Sequence, residues 1–334
     1  MWLSRILGGV GRTLIFAGVI LLLFVGYQLW GTGLTESKNQ DDLTRSLAKT
    51  LGGGGTSKKL NDADPSTIAT DITKRLAAVD PQTAPATGAP QEGDAGGFIE
   101  IPRIGLRQKT FVEGVTKADL RKGPGHYPET PLPGQAGNAA IAGHRTTYGA
   151  PFNRIDELLP GDAIIIYTSQ GKFVYEVMAP PEGIGIERGK GWFTVRPSDS
   201  SVLAPTGDNR LTLTACHPKY SAAERIIVQA KLVAEPAATT PTTTAAPGST
   251  QQPTVVQAPP SDTEALIAGD HSALTPAVLY GAAALAVWML GWLGSVFFRR
   301  AKKRGFYGFL IVTPGFAALL WFCFVYVDRY LPAI

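Results

Sequence analysis

The chain has 334 residues, 44% hydrophobic and only 17% charged. A soluble domain carries roughly 25% charged residues, so part of this chain is not ordinary globular protein. Its two cysteines exclude a disulfide scaffold, and its 38 glycines and 25 prolines, without a Gly-X-Y period, exclude collagen and call for linkers. The net charge of +4 points to an acidic partner only if the basic residues cluster on a folded domain.

Residues 1–12, with Arg5 and Arg12, precede an uncharged apolar run at 13–30, TLIFAGVILLLFVGYQLW. Crossing a hydrocarbon core takes about 20 apolar residues as a helix. Two further runs meet that length, 276–298 and 306–327, and each of the three carries aromatic residues near an end (Tyr27 and Trp30, Phe297 and Phe298, Tyr326). No small-x-small site follows the first run, so it reads as an uncleaved anchor. The connection at 299–305 holds Arg299, Arg300, Lys302, Lys303 and Arg304 without an acid. By the positive-inside rule this loop and residues 1–12 are cytoplasmic, which puts 31–275 and the tail 328–334 outside the cell. The rest of the chain then has 24 basic against 27 acidic residues. The basic balance is thus a topology signal, and no nucleic-acid partner is expected.

Residues 31–97 contain GGGG at 52–55 and few aromatics, and read as an extracellular flexible linker with weak helical periodicity at 41–51 and 66–79. Residues 235–275 open with an almost pure Ala, Pro, Thr, Ser and Gln stretch and read as a Pro/Thr/Ala-rich stalk. Between them, 98–234 is one domain of 137 residues. Its apolar runs are short and β-branched: FIEIPRIGL, TFVEGV, NAAIAGH, AIIIYT, KFVYEVMA, RLTLTAC and RIIVQAKLV. Turn residues separate them, and only 117–122 and 153–159 suit short helices. The expected fold is mostly β, a closed barrel of eight antiparallel strands, which hides its edges.

Three residues in this domain carry chemistry when taken together. Cys216 ends TLTAC just before His217-Pro218, where a strand stops and a thiol emerges; His144 closes NAAIAGH; Arg225 begins RIIVQAKLV. Each has an ordinary alternative: a buried structural cysteine, a hydrogen-bonded histidine, a solvated edge arginine. As a set they supply a nucleophile, a proton donor for a leaving amine and a donor for an oxyanion, the requirements of acyl transfer. Cys323 lies inside the third apolar run and is a packing residue. His217 should point away from the face that Cys216 occupies, and His126 is a loop histidine near the site. No cysteine and histidine spacing suits a metal, and no cofactor is expected.

Gly137-Asn138-Ala139-Ala140-Ile141-Ala142-Gly143-His144-Arg145, then Thr212-Leu213-Thr214-Ala215-Cys216, then Arg225, resembles the signature of the sortases, membrane-anchored cysteine transpeptidases of Gram-positive bacteria. The stretches His144-Arg145-Thr146-Thr147-Tyr148-Gly149 and Cys216-His217-Pro218 are most similar to class E sortases of actinobacteria. Ala215 departs from the usual Thr, and the two spans after the stalk are not part of the common plan. The resemblance implies a sortase-like eight-stranded barrel over 98–234 that recognises an LPXTG-like or LAXTG-like sorting signal on secreted proteins. Cys216 would attack the Thr-Gly carbonyl, His144 would protonate the departing amine, and Arg225 would steady the oxyanion. The acyl group would pass to an amine of a peptidoglycan precursor. Tyr148, on the loop after His144 and expected to be exposed, and Thr214, beside the cysteine, are candidate substrate contacts. A pilus-polymerising transpeptidase, a hydrolytic cysteine endopeptidase and a silent surface-binding module are the competing readings.

Overall fold

The structure is a computed structural model that describes residues 2–52, 62–182, 189–239, 270–300 and 306–331. Its helices are α1 (Trp2–Gly26), α2 (Thr32–Thr50), α3 (Pro65–Leu76), α4 (Lys117–Leu120), α5 (Leu274–Arg300) and α6 (Phe306–Tyr330), with a π turn at Tyr27–Gly31. The strands are β1 (Ala95–Ile101), β2 (Leu106–Glu113), β3 (Gly125–His126), β4 (Asn138–Ala142), β5 (Ala163–Thr168), β6 (Gly171–Val177), β7 (Phe193–Val195), β8 (Arg210–His217) and β9 (Glu224–Leu232). Two compact units form, Met1–Gln28 with Ile267–Ala333 and Leu29–Leu266.

In the first unit α1, α5 and α6 supply three helices long and apolar enough to cross a membrane. Without a hydrophobic driving force in lipid, such helices associate through packing. Here the packing is aromatic: Phe24, Tyr27, Trp321 and Phe324 cluster, and Tyr280 stacks on Phe322 and Tyr326.

In the second unit the strands run β6-β5-β1-β2-β3-β4-β8-β9, and β9 pairs back with β6 to close the ring at eight strands. β7 is a ninth strand, sharing the free edge of β9: it takes Arg225 to Ile227 while β6 takes Ala230 to Leu232. The expected barrel is therefore present, but not wholly antiparallel, because β2 with β3 and β4 with β8 are parallel pairs. Period-two alternation sends Leu211, Leu213 and Ala215 of β8 and Ile226, Val228 and Ala230 of β9 into one core with Ile99, Phe111, Phe152 and Phe173. Gly97 is required where β1 meets β5, since a Cβ there would lie 2.0 Å from the Tyr167 carbonyl oxygen.

The linker expected over 31–97 is corrected on either side of residues 53–61, which lie outside the described residues. The helical segments foreseen at 41–51 and 66–79 are α2 and α3, and they pack on the barrel: Leu47, Ala48, Ile68, Ala69, Ile72 and Leu76 bury against Phe98 and Tyr167. Asp64 caps α3 by accepting the Thr67 backbone N–H, with Pro65 at its first position. The first turns of α2 bury polar groups instead. Thr32, Glu36, Gln40 and Thr44, four residues apart, are all under 10% exposed. The Gln40 amide donates to the Thr110 and Lys122 carbonyls and accepts the Thr110 N–H, and Thr44 bonds the Thr110 hydroxyl. A polar stripe of this kind looks solvated in a sequence, which is why the segment reads as a tether. The stalk also begins later than 235: Ala237 is buried in a bridge to Gln135, and Gln170 donates to the Ala238 carbonyl. Residues 240–269 of the stalk and 301–305 of the basic loop lie outside the described residues.

Candidate active site

The site forms where β8 ends and β9 begins. In their antiparallel register Cys216 lies directly opposite Arg225. Cross-strand partners point to the same face, so the thiol and the guanidinium stand side by side on the face opposite the core. Thr214, two residues earlier, shares that face and is 5% exposed.

His144 arrives by a different route. β4 runs parallel to β8 with Ala142 beside Thr214, and the Gly143 N–H donates to the Thr214 carbonyl at 3.0 Å. The ladder ends there, two residues short of both His144 and Cys216. The His144 carbonyl accepts the Phe152 N–H, and the imidazole, 6% exposed, lies with its centroid 5.2 Å from the Tyr148 ring.

Burial raises the Cys216 thiol above its ordinary range, and the positive charges of Arg225 and Arg145 work against that rise. Arg145 is a site residue that sequence reasoning passed over. It is 2% exposed, pairs with Asp156 at 2.9 Å, and donates to the Cys216 carbonyl at 3.4 Å and to His217 Nδ1 at 2.9 Å. Arginine has only donors, so His217 Nδ1 accepts and the ring proton sits on Nε2. Burial first, then Arg145, holds that imidazole below its ordinary value. His217 is thereby a neutral packing group against Trp192 and is set apart from the thiol's chemistry. The signal for Arg145 was its place beside His144.

Tyr127 is the second residue missed. Its hydroxyl bonds the Thr214 hydroxyl at 3.1 Å, and burial raises its pKa. A small groove of about 40 Å³ is lined by Tyr127, Thr214, Arg225, Ile227, Val195 and Leu203. Of the two expected substrate contacts, Thr214 thus faces a groove and Tyr148 does not. Tyr148 is 6% exposed, and its hydroxyl accepts the Arg121 Nε–H at 2.9 Å, so the expectation of an exposed ring is corrected: the ring lies against His144 and Arg121. His126 is structural too, fully buried between Glu113 at 2.8 Å and the Pro131 carbonyl at 3.0 Å. Among the described residues no group of three His, Cys, Asp or Glu side chains could hold a metal ion.

Residues 99–233 match the sortase domain family model. Sortase SrtE1 of Streptomyces coelicolor is 30% identical over 241 residues, a match covering 68% of this chain and 57% of that protein. Sortase D of Bacillus subtilis is 29% identical over 224 residues, covering 66% of this chain and 96% of its own. The solved structure of the SrtF sortase from Corynebacterium diphtheriae is 33% identical, covers 49% of this chain and 96% of that one, and has a TM-score of 0.41.

Proposed function

The chain belongs to the sortase family through residues 99–233, and from that premise we propose that it is a membrane-anchored cysteine transpeptidase acting on secreted proteins. The observation that carries the reading is the facing pair Cys216 and Arg225, with Arg225 lining a groove, and a β4–β8 ladder that ends two residues short of both His144 and Cys216.

A sorting signal of the LPXTG or LAXTG kind lies in the groove past Thr214. The Cys216 sulfur attacks the Thr-Gly carbonyl carbon, and Arg225 donates to the oxygen on which negative charge develops. As the C–N bond breaks, His144 protonates the glycine amine, leaving a thioacyl enzyme and a free C-terminal fragment. An amine of a cell-wall precursor then attacks the thioester carbonyl, a new amide forms, and the thiol is released. Thiol and imidazole exchange one proton through this cycle, so their apparent pKa values belong to the pair.

The three apolar helices hold the protein in the membrane. Arg5, Arg12 and the basic residues of 299–305 lie on the cytoplasmic side and the barrel on the outer side, where its substrates emerge. Mass spectrometry of an LAXTG peptide incubated with the full chain and an amine acceptor tests the reading. Cleavage between Thr and Gly with the amine joined to Thr is expected, and none of it with Cys216→Ala. Only hydrolysed peptide at saturating amine would favour an endopeptidase, and full activity of Cys216→Ala would overturn the reading.

A further inference from the structure

The loop that carries His144 is held in an unfavourable shape. Tyr148, Gly149 and Ala150 take φ values of 49°, 72° and 43°, three successive left-handed residues of which two bear side chains. Such backbone persists only where the surroundings over-determine it. The surroundings here are the first turns of α2, more than a hundred residues away in the chain. The Tyr148 N–H donates to the Thr32 hydroxyl at 3.1 Å. The Glu36 carboxylate lies against Gly149, so close that a Cβ on that glycine would sit 2.5 Å from Glu36 Oε2. Glu36 is 3% exposed and is anchored in turn by Lys109 of β2 at 2.5 Å. The loop is thus pinned between α2 above and the Arg121 bond to the Tyr148 hydroxyl at its side. The Tyr148 ring carries the constraint to the His144 ring.

We propose that Thr32 and Glu36 are positioning residues for His144: the polar stripe of α2 clamps Tyr148 and Gly149, and the clamped Tyr148 ring sets the imidazole's place beside Cys216. α2 is then a working part of the active site, and a barrel released from it keeps its strand-borne thiol while losing its ordered histidine. The proposal rests on the reading of His144 as the proton donor above, and its structural half is measurable without turnover.

The full chain in nanodiscs, labelled with 15N-histidine, gives signals from four imidazole rings, with those of His144 identified by their loss in His144→Asn. Thr32→Val, which keeps size and removes the acceptor of the Tyr148 N–H, is expected to shift the His144 signal and leave those of His126 and His217 in place. Thr32→Ser restores it. Thr44→Val, which removes a bond from the same helix face remote from the loop, leaves the His144 signal where it was. In acyl transfer, Thr32→Val is expected to lower kcat about tenfold with KM within about twofold, the cost of a slightly misplaced catalytic group. The melting temperature of Thr32→Val should stay near that of the parent, which separates loop misplacement from loss of the fold. An unmoved His144 signal in Thr32→Val overturns the proposal. So does a shift of equal size in Thr44→Val, which would mean that loosening α2 anywhere has the same effect. If His144→Ala transfers acyl groups at the parental rate, it is the functional reading that fails, whatever the signals do.

Discussion

The two halves of the proposed active site are held by different physics. Cys216 and Arg225 stand on neighbouring strands whose ladder fixes them opposite each other, so their relation is set by period-two geometry and backbone hydrogen bonds. His144 stands on a loop containing three left-handed residues, held by side chains of a helix distant in sequence. The facing of the ladder half is set by backbone bonds, whatever side chains surround it. The loop half depends on a few polar contacts, each replaceable without touching the barrel core.

Substitutions can separate the halves. Cys216→Ala should give the largest effect, reducing acyl transfer to background with no thioacyl adduct by intact-mass spectrometry. His144→Ala should lower kcat by about 10² to 10⁴ while Cys216 remains open to alkylation; a protein that can no longer be alkylated would show that the halves are not separable. Arg225→Ala should cost about 10² to 10³ in kcat. It should also move the alkylation profile of Cys216 to higher pH, because a charge that opposes the effect of burial on the thiol is gone. Arg145→Gln should move that profile the same way and by less, Arg145 being the weaker of the two influences. In the parent protein, alkylation should rise with pH beyond the range of a free cysteine, because burial holds the thiol protonated.

The smallest effect tests the clamp. Burial raises the Glu36 pKa despite Lys109, so the folded state takes up a proton more readily than the unfolded chain. Stability from this group is present below the ordinary carboxylate range and lost as pH climbs through the raised value. Glu36→Gln should therefore unfold at a temperature that gains on the parent as pH rises across that window, read by differential scanning calorimetry. A difference independent of pH would mean that the carboxylate is not buried against Gly149.

Much of this was legible from residue order. β8 and β9 alternate so plainly that the face bearing Thr214 and Cys216 follows from Leu211, Leu213 and Ala215 lying on the other. The three apolar helices needed only length and composition. The burial of Tyr148 was not legible, because its neighbours Thr32, Glu36 and Arg121 come from elsewhere in the chain and loop residues have no periodicity to betray a packed face. Arg145 reads as a solvated loop cation until Asp156 and His217 are seen around it.

By itself the sequence determined the architecture of short β-branched strands and the three apolar helices, since each is written in local pattern, and it nominated the thiol, imidazole and guanidinium by residue type. Only the tertiary structure decided that α2 and α3 pack on the barrel instead of tethering it and that α2 meets the histidine loop. The physical reason is that a buried polar stripe has the same composition as a solvated one. What distinguishes them is the set of partners, Thr110, Lys109, Lys122 and Tyr148, that the closed barrel brings to it.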